Sequence, residues 1–322
     1  AEIISSDGFV SRLLAQNIRH PGLSRVIDEI LTHQKGNEIY IRDGDGFVGM
    51  QVDELHARFP DAVLMGLVRR SDGRPEPILN PAPGTRVAEG DGLVILAPSY
   101  DESKPSEMPF RSVFARGAGG ASNASGATEA RRILILGWSH RVPALITEFG
   151  TYDDERYEVR IASKVPIAER EALVAKVTAA NPTVAVAHVE INFTDSDQMR
   201  ALGPEGADSI VFMGSDWTES AEESDARTLM GSLIVDELFR EHDLEANVIM
   251  ELLDPDNATL VARSRGELII SPLVLSHLMT QVALWPELQV VFDELITFGG
   301  ADITFRPLTE YTDSATVSFD EL

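Results

Sequence analysis

Cysteine is absent from all 322 residues. That removes disulfides, zinc–thiolate sites and thiol nucleophiles together. No stretch approaches the ~18 apolar residues that a membrane-spanning helix requires. The opening AEIISSDGFVSRLL has neither the basic start nor the apolar run of a signal peptide, so a soluble piece is expected. Positive charge is scarce: 27 Lys and Arg stand against 52 Asp and Glu, a formal net charge of -25. Such a field repels phosphate backbones and anionic lipid surfaces, so no nucleic-acid partner is expected. It suits divalent cations, a basic partner, or solubility alone. Catalytic signatures are also missing. His20, His33, His56, His140, His188, His242 and His277 are scattered, with no HExxH pair and no GxSxG elbow. An enzyme is therefore not expected.

What is present suffices for two compact domains, with 43% hydrophobic and 25% charged residues, ordinary values for a folded chain. The small-residue run ARGAGGASNASGATEA, residues 115–130, offers nothing to bury and reads as a linker. Beyond it, strand-like and helix-like periods alternate. RRILILG, YEVRIAS, TVAVAHVEI, DSIVFMG, ANVIMELL and GELIIS read as buried strands. Helical spacing falls over 142–149, 166–180, 196–202 and 220–242, the last opened by a Ser220/Glu223 capping box. Apolar strands alternating with helices predict an α/β, Rossmann-like, doubly wound parallel sheet. The block before the linker differs. Helices over about 7–19 and 21–33 precede strands NEIYIR, AVLMGLVRR and DGLVILAP, with RSDGRPEP and NPAPGTRVAEGDG read as turns. This is a small α+β module.

An internal repeat links the two blocks. Residues 2–31 align without gaps to 267–296, and eleven of the 30 pairs are identical, Ser11/Ser276, Leu13/Leu278 and Pro21/Pro286 among them. Chance would give about two. EIYIR (38–42) then falls on DITFR (302–306). By parity, a further Rossmann-like domain is expected ahead of the first copy, and the second copy of the small module is expected to continue beyond the end.

This plan resembles the regulator-of-potassium-conductance (RCK) family. SRLLAQNIRHPGLSRVIDEIL, ELLDPDNATLVARSRGELIISPLVLSHLMTQVA, ILILGW and FPDAVLMGLV…ILNPAPGTRVAEGDGLVILAP are most similar to its CASTOR/POLLUX branch. The resemblance implies crossover helices of a first, truncated unit over 1–34 and a small TrkA-C-like α+β subdomain over 35–98. A flexible linker over 99–130 and a Rossmann-like domain over 131–271 follow. Crossover helices over 272–298 and the start of a second small subdomain over 299–322 complete it. It further implies a tetrameric gating ring on the cytoplasmic face of a membrane, with the pore elsewhere in the chain or in another subunit. A ligand such as Ca²⁺ would bias the gate. Two alternatives stay open: a peripheral subunit of a potassium uptake system, and a nucleotide-dependent enzyme.

Three sets of candidate residues emerge. A dinucleotide fingerprint should follow the first strand as GxGxxG. The run is Gly137-Trp138-Ser139-His140-Arg141-Val142, which keeps only the first glycine, and Ser163 replaces the acid expected at the end of the next strand. NAD is therefore not expected in 131–271. Gly137, Trp138, Ser139, His140, Arg141, Ser163, Gly214 and Asp216 still mark a strand-end cleft for some other ligand. Asp216, Glu219, Glu222, Glu223 and Asp225 form an acidic run that suits Ca²⁺, or equally a helix start favouring negative charge. DGDGFVG (43–49) fails the EF-hand spacing and reads as a turn. Last, Phe9, Leu13, Leu14, Leu23 and Ile27, with Leu275, Leu278, Met279, Leu288 and Phe292, form helical stripes that suit either core or an inter-domain interface.

Overall fold

The computed structural model describes residues 6–32, 36–71, 73–107, 129–261, 266–297, 299–301, 303–307 and 309. Its elements run α1 (Ser6–Arg19), α2 (Leu23–Leu31), β1 (Glu38–Asp43), α3 (Val52–Leu55), β2 (Val63–Ser71), β3 (Arg74–Leu79) and β4 (Gly92–Ala97). There follow β5 (Arg131–Leu136), α4 (Val142–Phe149), β6 (Tyr157–Ser163), α5 (Ile167–Ala180), β7 (Val184–Glu190), α6 (Ser196–Leu202), β8 (Ser209–Phe212) and α7 (Ala221–His242). β9 (Asn247–Leu252), α8 (Ala258–Val261), β10 (Glu267–Ile270), α9 (Ser271–Leu284) and α10 (Leu288–Ile296) complete the chain. They form two units: Ala1–Arg25 with Ala127–His277, and Val26–Gly126 with Leu278–Leu322. The linker expected over 99–130 falls only partly on described residues. Those at 99–107 are fixed to the second unit, where Arg42 Nε donates to Ser103 Oγ at 2.7 Å and Ser106 N to Arg58 O at 2.7 Å.

In the first unit all six strands are parallel, in the order β10-β9-β8-β5-β6-β7. Each central strand is apolar on both faces, as the continuous Val/Ile/Leu runs require of a sheet covered by helices on both sides. One face packs Leu134, Leu136, Met199, Phe212, Val235 and Met250 into a single core beneath α6 and α7. Gly231 lets α7 settle there, because a Cβ at that position would stand 2.6 Å from the Phe212 ring. Ser220 caps α7 as its sequence suggests, accepting from Glu223 N at 3.2 Å. The Glu223 carboxylate, however, turns back to Glu219 N rather than closing the reciprocal box.

α1, over a hundred residues earlier in sequence, packs against α4 and β9 of this same unit. Ion pairs fasten it along its length: Arg12 to Glu148 at 3.6 Å and Arg19 to Glu155 at 3.1 Å. At its C-terminal end Asn247 Nδ2 donates to Asn17 O at 3.1 Å, and the Glu267 carboxylate accepts from Gly22 N and from Ser24 Oγ.

The second unit holds an antiparallel sheet in the order β1-β4-β2-β3, with α10 packed on β3 and β1. The RSDGRPEP stretch read as a turn is largely strand: Arg70 and Ser71 end β2, and its RPEP half begins strand β3. Pro75 and Pro77 mislead because proline cannot donate to a ladder, yet β3 is an edge strand with one side unpaired, where proline is tolerated and blocks further pairing. DGDGFVG is a turn here: Asp43 accepts from Asp45 N, and Asp45 from Gly90 N at 3.0 Å.

The internal repeat survives in three dimensions. α1 and α9 are each 14 residues long, and α2 and α10 each nine. Both ends of both pairs keep the same spacing of 265 residues (271−6, 284−19, 288−23, 296−31).

Candidate functional site

Strand order reverses between β5 and β8, so the loops leaving their C-terminal ends diverge, and ligands of open α/β sheets bind in the crevice so formed. The chain crosses this point tightly. Gly137 has φ +110, a conformation that glycine alone adopts readily, and a Cβ there would lie 2.6 Å from Met213 O. Next come Trp138, nearly buried, and Ser139, fully buried, whose Oγ accepts from Arg141 N at 3.2 Å.

Arg141 then turns inward and meets Glu251 Oε1 at 2.8 Å. Glu251, the penultimate residue of β9, is completely buried. Its carboxylate also accepts from Gly214 N at 2.9 Å and from Ser271 Oγ. Burial pushes the Glu251 carboxyl above the ordinary range, against the pull of Arg141, Ser271 and Gly214. Gly214 is small of necessity, since a Cβ would meet the Leu253 side chain at 2.8 Å and Glu251 Oε2 at 3.2 Å. The structure thus assembles Gly137, Trp138, Ser139, His140, Arg141, Gly214 and Asp216 at one sheet edge. Ser163 stands one strand away, fully buried, its Oγ accepting from Val165 N.

The Arg141 side chain of this loop is committed to Glu251 rather than turned outward. The loop lacks the second and third glycines that permit close backbone approach. These residues do not fit NAD.

The acidic run separates. Asp216 binds the backbone N–H of His140 at 2.7 Å and its ring at 2.5 Å. Glu223 accepts from Glu219 N, and Glu219 and Glu222 are exposed. Asp225 is fully buried, where Leu253 N, Asp254 N and Asn257 Nδ2 donate to it, each at 2.9 Å. Among the described residues, no three His, Asp or Glu side chains converge to hold a metal ion, so this arrangement does not fit Ca²⁺.

Of the helical stripes, Phe9, Leu13, Leu14 and Leu23 are buried in the first unit; Ile27, Leu278, Leu288 and Phe292 are buried in the second. Leu275 is half-buried, and Met279 is 60% exposed although its repeat partner Leu14 is 0% exposed.

Residues that the sequence reading passed over are Glu251, Ser271, Asp7 and Arg170. Glu251 left a signal, a lone acid inside the apolar run VIMELL. Arg170 left none. It is fully buried in α5 and donates to Val165 O, Ile161 O and Val189 O at 2.8–3.0 Å, closing the carbonyl ends of β6 and β7.

Residues 7–112 match the family described as "Castor and Pollux, part of voltage-gated ion channel". The chain is 24% identical to the probable ion channel CASTOR of Oryza sativa subsp. japonica over 96% of its own length and 38% of the relative's. It is 23% identical to the ion channel CASTOR of Lotus japonicus over 100% of its length and 41% of that protein. It therefore spans about two fifths of the curated relatives that it matches. Among solved structures, the human SLO3 gating ring superposes with a TM-score of 0.66 at 14% identity, covering 92% of this chain and 62% of that one. No described helix is long and apolar enough to cross a membrane. Residues 7–112 are thus similar to the CASTOR/POLLUX family, and the chain shares the fold of the SLO3 gating ring.

Proposed function

We propose that this chain is the cytosolic, ligand-sensing regulatory region of a cation channel, assembled as a four-chain ring on a pore formed elsewhere in the full protein. The reading rests chiefly on the repeated helix pair. Where α1 buries Leu14 on a Rossmann-like unit, its repeat partner Met279 in α9 is 60% exposed, although Leu278 beside it is buried as Leu13 is. A repeated position that is buried in one copy and exposed in the other favours a second Rossmann-like unit against α9. The signal would enter at the strand-end cleft of Gly137–Arg141, Ser163, Gly214 and Asp216. There Ser11 Oγ donates to Arg141 O at 3.4 Å, so a ligand would act directly on α1. Ligand binding then shifts a two-state ring by its difference in affinity for the two states.

The test is Met279→Asp in the full-length protein, followed by single-channel recording and by native mass spectrometry. Burying a methionine is worth about 1.5–3 kcal/mol, so each interface should weaken roughly tenfold or more while conductance persists. A tetramer and a ligand response both unaffected by Met279→Asp would sink the proposal.

A further inference from the structure

His140 stands in the loop after β5, 61% exposed in its side chain, with a carboxylate at each ring nitrogen. Nδ1 lies 2.5 Å from Asp216 Oδ2, and Nε2 lies 3.2 Å from Asp7 Oδ1. A neutral imidazole carries one N–H and turns a lone pair outward at the other nitrogen. Both contacts are attractive hydrogen bonds only when the ring holds two protons. Asp216 is fixed independently of the ring, because the His140 backbone N–H donates to the same Oδ2 at 2.7 Å. The neutral ring therefore keeps its N–H on Asp216 and faces Asp7 with a lone pair. Asp7 belongs to the first turn of α1.

We propose that His140 is a proton-operated clasp: doubly protonated, it holds the first turn of α1 to the strand-end edge of the sheet, and on becoming neutral it lets that turn go. The charged groups around it are few. Asp7 comes from α1 and Asp216 from the loop after β8. Its neighbour Arg141 points away, to Glu251 of β9, and Arg12 of α1 pairs with Glu148 of α4. The bond to Asp216, helped by Asp7 and opposed by partial burial, holds the imidazole above the ordinary histidine range. A raised folded value means that the clasp's contribution is complete below about pH 6.5 and is lost as pH climbs through the folded value. Signalling at this edge would then respond to protons at a pH above the ordinary histidine range, without any bound ligand.

The clasp is local and stands whether or not the chain gates a channel. Its test is hydrogen exchange on the whole chain from pH 6 to 9, with the peptide spanning residues 7–12 read against α7 in the same sample to cancel intrinsic pH effects. Because the pair is half exposed, opening of the first turn should rise about two- to fivefold relative to α7 as pH increases. Asp7→Asn should flatten that profile, and His140→Gln should hold it at the high-pH level throughout. The His140 ring, followed by NMR, should titrate higher in the wild type than in Asp7→Asn. A wild-type exchange profile no different from that of Asp7→Asn, or a His140 ring indifferent to the Asp7 substitution, overturns the proposal.

Discussion

Arg141→Ala is expected to cost about 3–5 kcal/mol of stability, measured by urea unfolding at pH 7.5, because it strands a carboxylate in the core. The Glu251 side chain is 0% exposed and that of Arg141 10%, so water cannot replace the lost cation. Gly214 N and Ser271 Oγ still donate, but two hydrogen bonds do not balance a buried charge. The variant should therefore take up a proton at Glu251. Burial already raises this carboxyl in the intact protein. With a folded value above the unfolded one of about 4.3, stability is greatest below that pH and declines as pH rises toward the folded value. The deficit of Arg141→Ala should accordingly shrink between pH 7.5 and pH 5. Adding Glu251→Gln, which removes the charge but keeps an acceptor, should recover about 1–3 kcal/mol at pH 7.5. Equal losses at the two pH values, with no recovery in the double variant, would show that Arg141 acts by packing alone.

That pair also marks how far the sequence could be read. The alternating sheet was legible because its signals are local: six apolar runs at strand length, helical spacing between them, and a Ser at the start of α7. The paired crossover helices were legible from the repeat, whose offset of 265 fixes both helices to the residue. That Gly137 would lie at the strand-end edge was legible by position, since it follows the first strand of a doubly wound sheet. The side-chain pairings at that edge were not. Arg141 and Glu251 lie 110 positions apart (251−141), and Asp7 and His140 lie 133 apart (140−7). No periodicity reports such pairings; only the folded sheet brings them together. The β3 edge was hidden for the opposite reason: its prolines carry a strong local signal for turns, and edge position overrides it. α8 was hidden by brevity, a single turn with no period to detect.

The acidic run shows the same limit in a form that experiment can separate. Asp225→Asn should lower stability by about 2–4 kcal/mol, equally in a chelator and in millimolar Ca²⁺. Two backbone N–H groups, of Leu253 and Asp254, and the Asn257 amide converge on the two oxygens of the fully buried Asp225. Asparagine is nearly the same size but offers one oxygen and one NH₂. One end of the cradle would then set donor against donor, leaving at least one buried N–H without an acceptor. The damage should be concentrated at residues 253–257, whose amides would lose protection from exchange well before those of β9. From sequence, Asp225 was one acid among five near the start of a helix, and charge counting could not tell it from its exposed neighbours. Burial tells it apart: an acid on a helix N-terminus can stay hydrated, whereas this one holds the chain leaving β9 against α7. If Asp225→Asn instead proves nearly neutral in the chelator and abolishes a Ca²⁺-dependent gain in stability seen in the wild type, Asp225 is a cation ligand and the cradle reading is wrong.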